Sequence, residues 1–150
     1  MKKALAALLL VLVPVFAQAA PDAGDPGLLS RASPYPVGET LDRLETLLRG
    51  KGVKVFARID HAAEAQGAGL TLSPAQLLIF GNPKAGTPLM QASPGIGLDL
   101  PMKALAWQDA QGQVHVTWNR PEFLIQRHGL DAAFVKNLAA ISGLIEAALR

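Results

Sequence analysis

Leu41, Leu44, Leu47 and Leu48 recur at three- and four-residue intervals with Asp42, Arg43, Glu45 and Arg49 between them, the period of an amphipathic helix. Gly50 and Gly52 mark its end. Val53, Val55, Ala57 and Ile59 then alternate with Lys54, Arg58 and Asp60, which predicts a half-buried strand in which Phe56 alone is apolar on the polar side. Residues 75–80 (AQLLIF) are apolar on both faces, as a central strand requires, and Gly81, Asn82 and Pro83 close it with turn chemistry.

Either side of these elements the pattern is shorter. Residues 28–33 read as a short strand, after which Pro34, Pro36 and Gly38 punctuate the entry to the leucine helix. A short helical stretch covers 61–66, with a turn at 67–69. Residues 84–101 carry Gly86, Pro88, Pro94, Gly95, Gly97 and Pro101 and predict a long loop with one helical turn around 89–92. Residues 100–108 and 113–119 flank a four-residue hairpin connection at 109–112; Val114, Val116 and Trp118 share one face, His115 and Thr117 the other. Pro121 opens a short helix to His128, and Asp131 caps a longer one whose stripe is Phe134, Leu138, Ile141, Ile145 and Leu149.

The order of elements predicts an α+β domain, an antiparallel sheet of four to five strands with two main helices on one face. No repeat, heptad run or second domain boundary interrupts it. The uncovered face must meet solvent, a ligand or a second subunit, and Phe56, His115 and Thr117 are its candidates.

Composition changes this picture at the N-terminus. Lys2 and Lys3 precede an apolar stretch from Ala4 to Phe16, and Ala17 and Ala19 flank Gln18, the form of a secretory signal cleaved after Ala19. The stretch is shorter than the roughly 20 residues a membrane span needs, and Pro14 lies inside it. Residues 1–19 are thus expected to be removed, 20–27 (APDAGDPG) to form a flexible leader, and 28–150 to form one domain in the periplasm or outside the cell, with no membrane attachment. The full chain has 14 Lys and Arg against 12 Asp and Glu, and losing Lys2 and Lys3 makes the two equal. The basic excess therefore gives no reason to expect nucleic acid. The chain has no cysteine, which excludes a thiol nucleophile, Cys-ligated zinc, iron–sulfur clusters and covalent haem, and leaves stability to the core.

The catalytic inventory is thin. No G-x-S-x-G elbow, H-E-x-x-H, Walker loop or calcium loop is present, and Gly95-Ile96-Gly97 lacks the context of a nucleotide turn. On a helix His61 and Glu64 would share a face at i, i+3 and could ligate a divalent metal with His128 or His115, whereas the plainer reading has Asp60 or His61 capping the helix. Asn82, Lys84, Thr87 and the amides of 81–86 could cradle an anion, or the segment could simply turn the chain. Trp107 and Trp118 are expected in the core.

The run Asp60-His61-Ala62-Ala63, then PAQLLIFGNP (74–83), KAGTPLM (84–90), GLDLP (97–101) and Trp118-Asn119-Arg120-Pro121 resembles the domain-of-unknown-function 302 family over roughly residues 27–149. The resemblance implies an antiparallel sheet with helices on one face and a tendency to dimerise, in a family with both cytosolic and exported members and no agreed catalytic residues. His61, Gly81, Asn82, Pro83, Asp99 and Pro101 match its pattern; Trp118 stands where many relatives have Tyr, so no hydroxyl chemistry carries over there.

Four readings of function follow. The first is a non-enzymatic homodimer without a cofactor, binding a small molecule through His61, Asn82, Lys84, Asp99 and His128, in a groove between the 81–101 segment and the His61 segment. The second is a metal-handling protein using His61, Glu64 and His128. The third is an enzyme with His61 as general base and Asp99 or Asp60 as partner. The fourth is a purely structural or interaction role.

Overall fold

The computed structural model describes residues 27–150, so the expected signal segment, 1–19, and the expected leader up to residue 26 lie outside the described residues. The chain runs β1 (Leu28–Ser33), α1 (Val37–Gly50), β2 (Lys54–Asp60), α2 (His61–Gly67), β3 (Ala75–Gly81), α3 (Pro83–Ala92), β4 (Met102–Gln108), β5 (Val114–Asn119), α4 (Pro121–Arg127) and α5 (Ala140–Ala148), with 3-10 turns at Pro94–Leu98 and Ala132–Asn137. All strand pairings are antiparallel, in the order β1-β5-β4-β3-β2. This is the α+β architecture the periodicity predicts.

One face of the sheet is the core. Leu78 and Phe80 of β3, Met102, Ala104 and Ala106 of β4, and Val114, Val116 and Trp118 of β5 are buried there. Helix α1 lies across β2, β3 and β4 and packs on α5, contributing Leu41, Leu44 and Leu48, while Ile141 and Ile145 arrive from α5. Ser33 and Thr40 are the buried polar side chains, and they satisfy each other at 2.7 Å while Thr40 also donates to the Tyr35 carbonyl. Gly27, which the sequence reading assigns to the leader, is buried with φ +68°, and a Cβ there would sit 2.1 Å from the Phe123 ring. Only glycine fits that backbone.

Four local expectations give way to tertiary context. First, 84–101 is mostly helical: Pro83 occupies the first position of α3, where its missing N–H costs nothing, and burial of Gly86 and Leu89 outweighs the bond lost at Pro88. Second, the expected long C-terminal helix is divided into the 132–137 turn and α5, and the Asn137 side chain at the division donates to the Ala85 carbonyl at 3.0 Å. Third, the alternation in β2 is broken by a bulge between Val55 and Ala57. Val55 pairs with buried Phe80, but Ala57 and Ile59 pair with Ile79 and Leu77 on the open face, so Arg58, opposite Leu78, turns under α1. Fourth, Trp107 is not a core residue. It pairs with His115 on the open face and stacks on that imidazole at 4.9 Å.

Candidate functional site

The ends of β2, β3 and β4 nearest Lys54, Gly81 and Met102 meet the C-terminal end of α1, the start of α3 and the start of α5 around a cavity of about 550 Å³. Val53 and Phe56 wall it from the β2 side, Gly81 and Asn82 from β3, Ala85, Gly86, Thr87 and Met90 from α3, Leu100, Pro101 and Met102 from β4, and Leu138, Ile141 and Leu144 from the C-terminal segment. Its size is that of a small-molecule pocket. The wall is almost wholly apolar, with Lys51 its one charged residue. At Gly81 an added Cβ would make ordinary van der Waals contact with Pro101 at 3.4 Å and Phe56 at 3.8 Å.

Of the sequence candidates, Asn82 lies on this wall, but His61, Lys84, Asp99 and His128 do not. Asn82 caps α3 by accepting the Lys84 N–H at 2.9 Å, and its carbonyl takes the amides of Ala85 and Gly86. The amides of Lys84, Ala85 and Gly86 are thus spent starting the helix, in keeping with the turn reading of this segment rather than with the anion cradle of Asn82, Lys84, Thr87 and the 81–86 amides.

His61 begins α2, away from the cavity, and the groove expected between it and 81–101 is faced instead by α5. Asp60 is the cap: it accepts the Ala63 amide at 3.0 Å and the Gln76 side-chain amide at 2.8 Å, and the Ala63 bond foremost holds its carboxyl below the usual carboxylate range. Asp60 is thus committed to holding α2 on β3 rather than to partnering His61. Beside α2 is a shallow recess of about 450 Å³ that includes Asp60, Gln66, Leu72 and Gln76, but not His61.

Asp99 and His128 do meet. Asp99 Oδ2 lies 2.6 Å from His128 Nε2, both side chains are close to nine-tenths buried, and Arg127 approaches the other carboxylate oxygen at 3.4 Å. This ties the 94–98 turn to the end of α4. Asp99 is therefore paired with His128 and not with His61, as a general-base reading of His61 would need. Among the described residues no three His, Asp or Glu side chains gather as metal ligands, so His61, Glu64 and His128 form no centre: His61 and Glu64 sit on α2, while His128 is engaged by Asp99.

A polar cluster on the open face was legible only in part. His115 Nε2 lies 2.8 Å from Asp109 Oδ2, Trp107 stacks on the ring, and the Trp107 indole N–H donates to Thr117 at 3.0 Å. The His115 bond is the main cause that keeps the Asp109 carboxyl below the usual range. Two amides of the hairpin, Gln111 and Gln113, also donate to Asp109.

The sequence pattern that defines the domain of unknown function DUF302 matches residues 29–148. The chain belongs to the DUF302 family. The fold agrees: the crystal structure of the uncharacterized conserved protein DUF302 from Bacillus stearothermophilus superposes with a TM-score of 0.70, covering 83% of this chain and 97% of that one at 23% identity. Among curated relatives, the Fluoride-specific ion channel FluC 1 of Brucella suis biovar 1 (strain 1330) is 50% identical over 106 residues, 71% of this chain and 42% of that protein. FluC 1 of Brucella abortus biovar 1 (strain 9-941) matches at the same identity over 39% of its length. This DUF302 chain thus spans about two fifths of the curated relatives it matches.

Proposed function

We propose that this DUF302 chain is an exported, homodimeric, non-enzymatic protein that binds a small apolar molecule in the cavity between α3, α5 and the sheet end. The observation that carries the reading is the cavity itself: a small-molecule volume and an apolar wall in which, among the described residues, no acid, histidine or serine stands. Dimerisation is supported by the open sheet face, where Ile59 is exposed and Leu77, Ile79, Leu105 and Trp107 are only half-buried. Export is supported by the basic, apolar and A-x-A pattern of residues 1–19.

Native mass spectrometry of the protein purified from the periplasm of its own host tests all three parts. The expected spectrum is a dimer beginning at Ala20 with extra mass that mild activation releases. A ligand at 100 times its Kd should also stabilise the fold by about 2.7 kcal/mol. A clean apo monomer that no metabolite extract stabilises overturns the reading and leaves an interaction role. The curated relatives favour a second reading, a domain serving fluoride handling beside a channel, and a thermal shift on adding sodium fluoride but not sodium chloride would support it.

A further inference from the structure

We infer that the cavity takes an anionic amphiphile, a carboxylate on an unbranched alkyl chain, with the chain inside and the head at Lys51; this rests on the binding reading above. Charge decides the head. Lys51 is the only charged residue of the wall, no acidic side chain joins it, and its ammonium has no ion pair or hydrogen bond among the described residues. A second cation stands at the same lip, with Lys54 Nζ 4.9 Å from the centre of the Phe56 ring, itself a wall residue and nearly half exposed.

Of the wall's amide side chains, Asn137 donates to the Ala85 carbonyl, and Asn82 accepts the Lys84 amide through Oδ1, which leaves its side-chain NH2 as a neutral donor beside the lysines. The capped start of α3 offers no spare backbone amide to an anion, since Lys84, Ala85 and Gly86 donate to Asn82. The exposed lysines are the cations that can meet the head, which there stays hydrated and avoids the cost of burying a charge. The apolar wall combines buried Leu100, Met102 and Ile141 with the more exposed Val53, Met90 and Leu144. Two flexible thioethers among aliphatic groups suit a chain with many rotamers better than a rigid ring.

Calorimetric titration of the purified protein with decanoate, decanol and decyltrimethylammonium, each below its micellar concentration, tests this. Decanoate should bind about threefold tighter than decanol, as an exposed, hydrated ion pair allows, and decyltrimethylammonium more weakly than both. Octanoate should bind about fifteenfold more weakly than decanoate, for two methylenes fewer. Lys51→Met should bring decanoate to the level of decanol without moving decanol, and Lys51→Arg should keep the preference. Equal binding of all three amphiphiles, unchanged in Lys51→Met, overturns the inference and leaves the cavity reading standing. Binding of none overturns the cavity reading as well.

Discussion

Arg58 tests the register of the whole β2 edge. Because the bulge at Phe56 turns it under α1, its guanidinium donates to Gln76 Oε1 at 2.7 and 3.0 Å, to the Gly38 carbonyl at 2.9 Å and to Asp42. Its side chain is 28% exposed and that of Asp42 68%, so the ion pair is screened and contributes about 0.5 kcal/mol, near the median for exposed pairs. The bonds to Gln76 tie β2 to β3 and the bond to Gly38 ties it to α1, all from a charged donor, and after discounting for partial exposure they contribute together about 1.5 kcal/mol. Arg58→Met keeps the apolar stem and removes every one of these bonds, and should cost about 2 kcal/mol. For a domain of this size that is a fall in Tm of about 8 °C. Asp42→Asn should cost only about 0.5 kcal/mol, and 1 M salt should erase the difference. Urea denaturation with a common m-value is the assay. Had the strand kept the strict alternation of its sequence, Arg58 would face outward with Lys54, and its loss would fall within about 0.5 kcal/mol of neutral. That result, or equal losses for the two variants, refutes the bulged register.

Two further outcomes follow from single sites. Gly143 lies inside α5 with nothing within 4 Å of the position a Cβ would take, so Gly143→Ala should raise Tm by about 4 °C through helix propensity of about 1 kcal/mol, read by a thermal scan. The Asp109 carboxyl is held low chiefly by His115, so its contribution is present above the ordinary carboxylate pKa and lost as pH falls through the lowered folded value. Asp109→Asn should accordingly destabilise the fold at pH 7, and the gap to the parent in urea midpoints should close below pH of about 4.

Much of the candidate site could not be read along the chain because its wall is assembled from segments far apart in sequence. The Gly81-Asn82-Pro83 turn and the glycine- and proline-rich 84–101 stretch stood out, and Asn82, Gly86 and Pro101 do line the cavity. Lys51 did not, because a lysine after a helix-ending glycine looks like ordinary surface; its place on the wall depends on Leu138, Ile141 and Leu144 joining the same cavity from some ninety residues later. The histidines drew attention by their chemistry, yet His61 lies beside the Asp60 cap and His128 is engaged by Asp99.

The sequence by itself determined what repeats over a few residues. The leucine period specified α1, two-fold alternation specified β5 with Trp118 inward, and Asp109 with Gly112 at φ +83° specified the hairpin. Each of these depends on contacts within one turn or one strand pair. Only the tertiary structure decided the bulge that reverses Arg58, the helix built through Pro88, the Asp99–His128 pair and the cavity under α5. Those features depend on which distant surface is available to bury a residue or accept its hydrogen bond, and a local pattern carries no record of that.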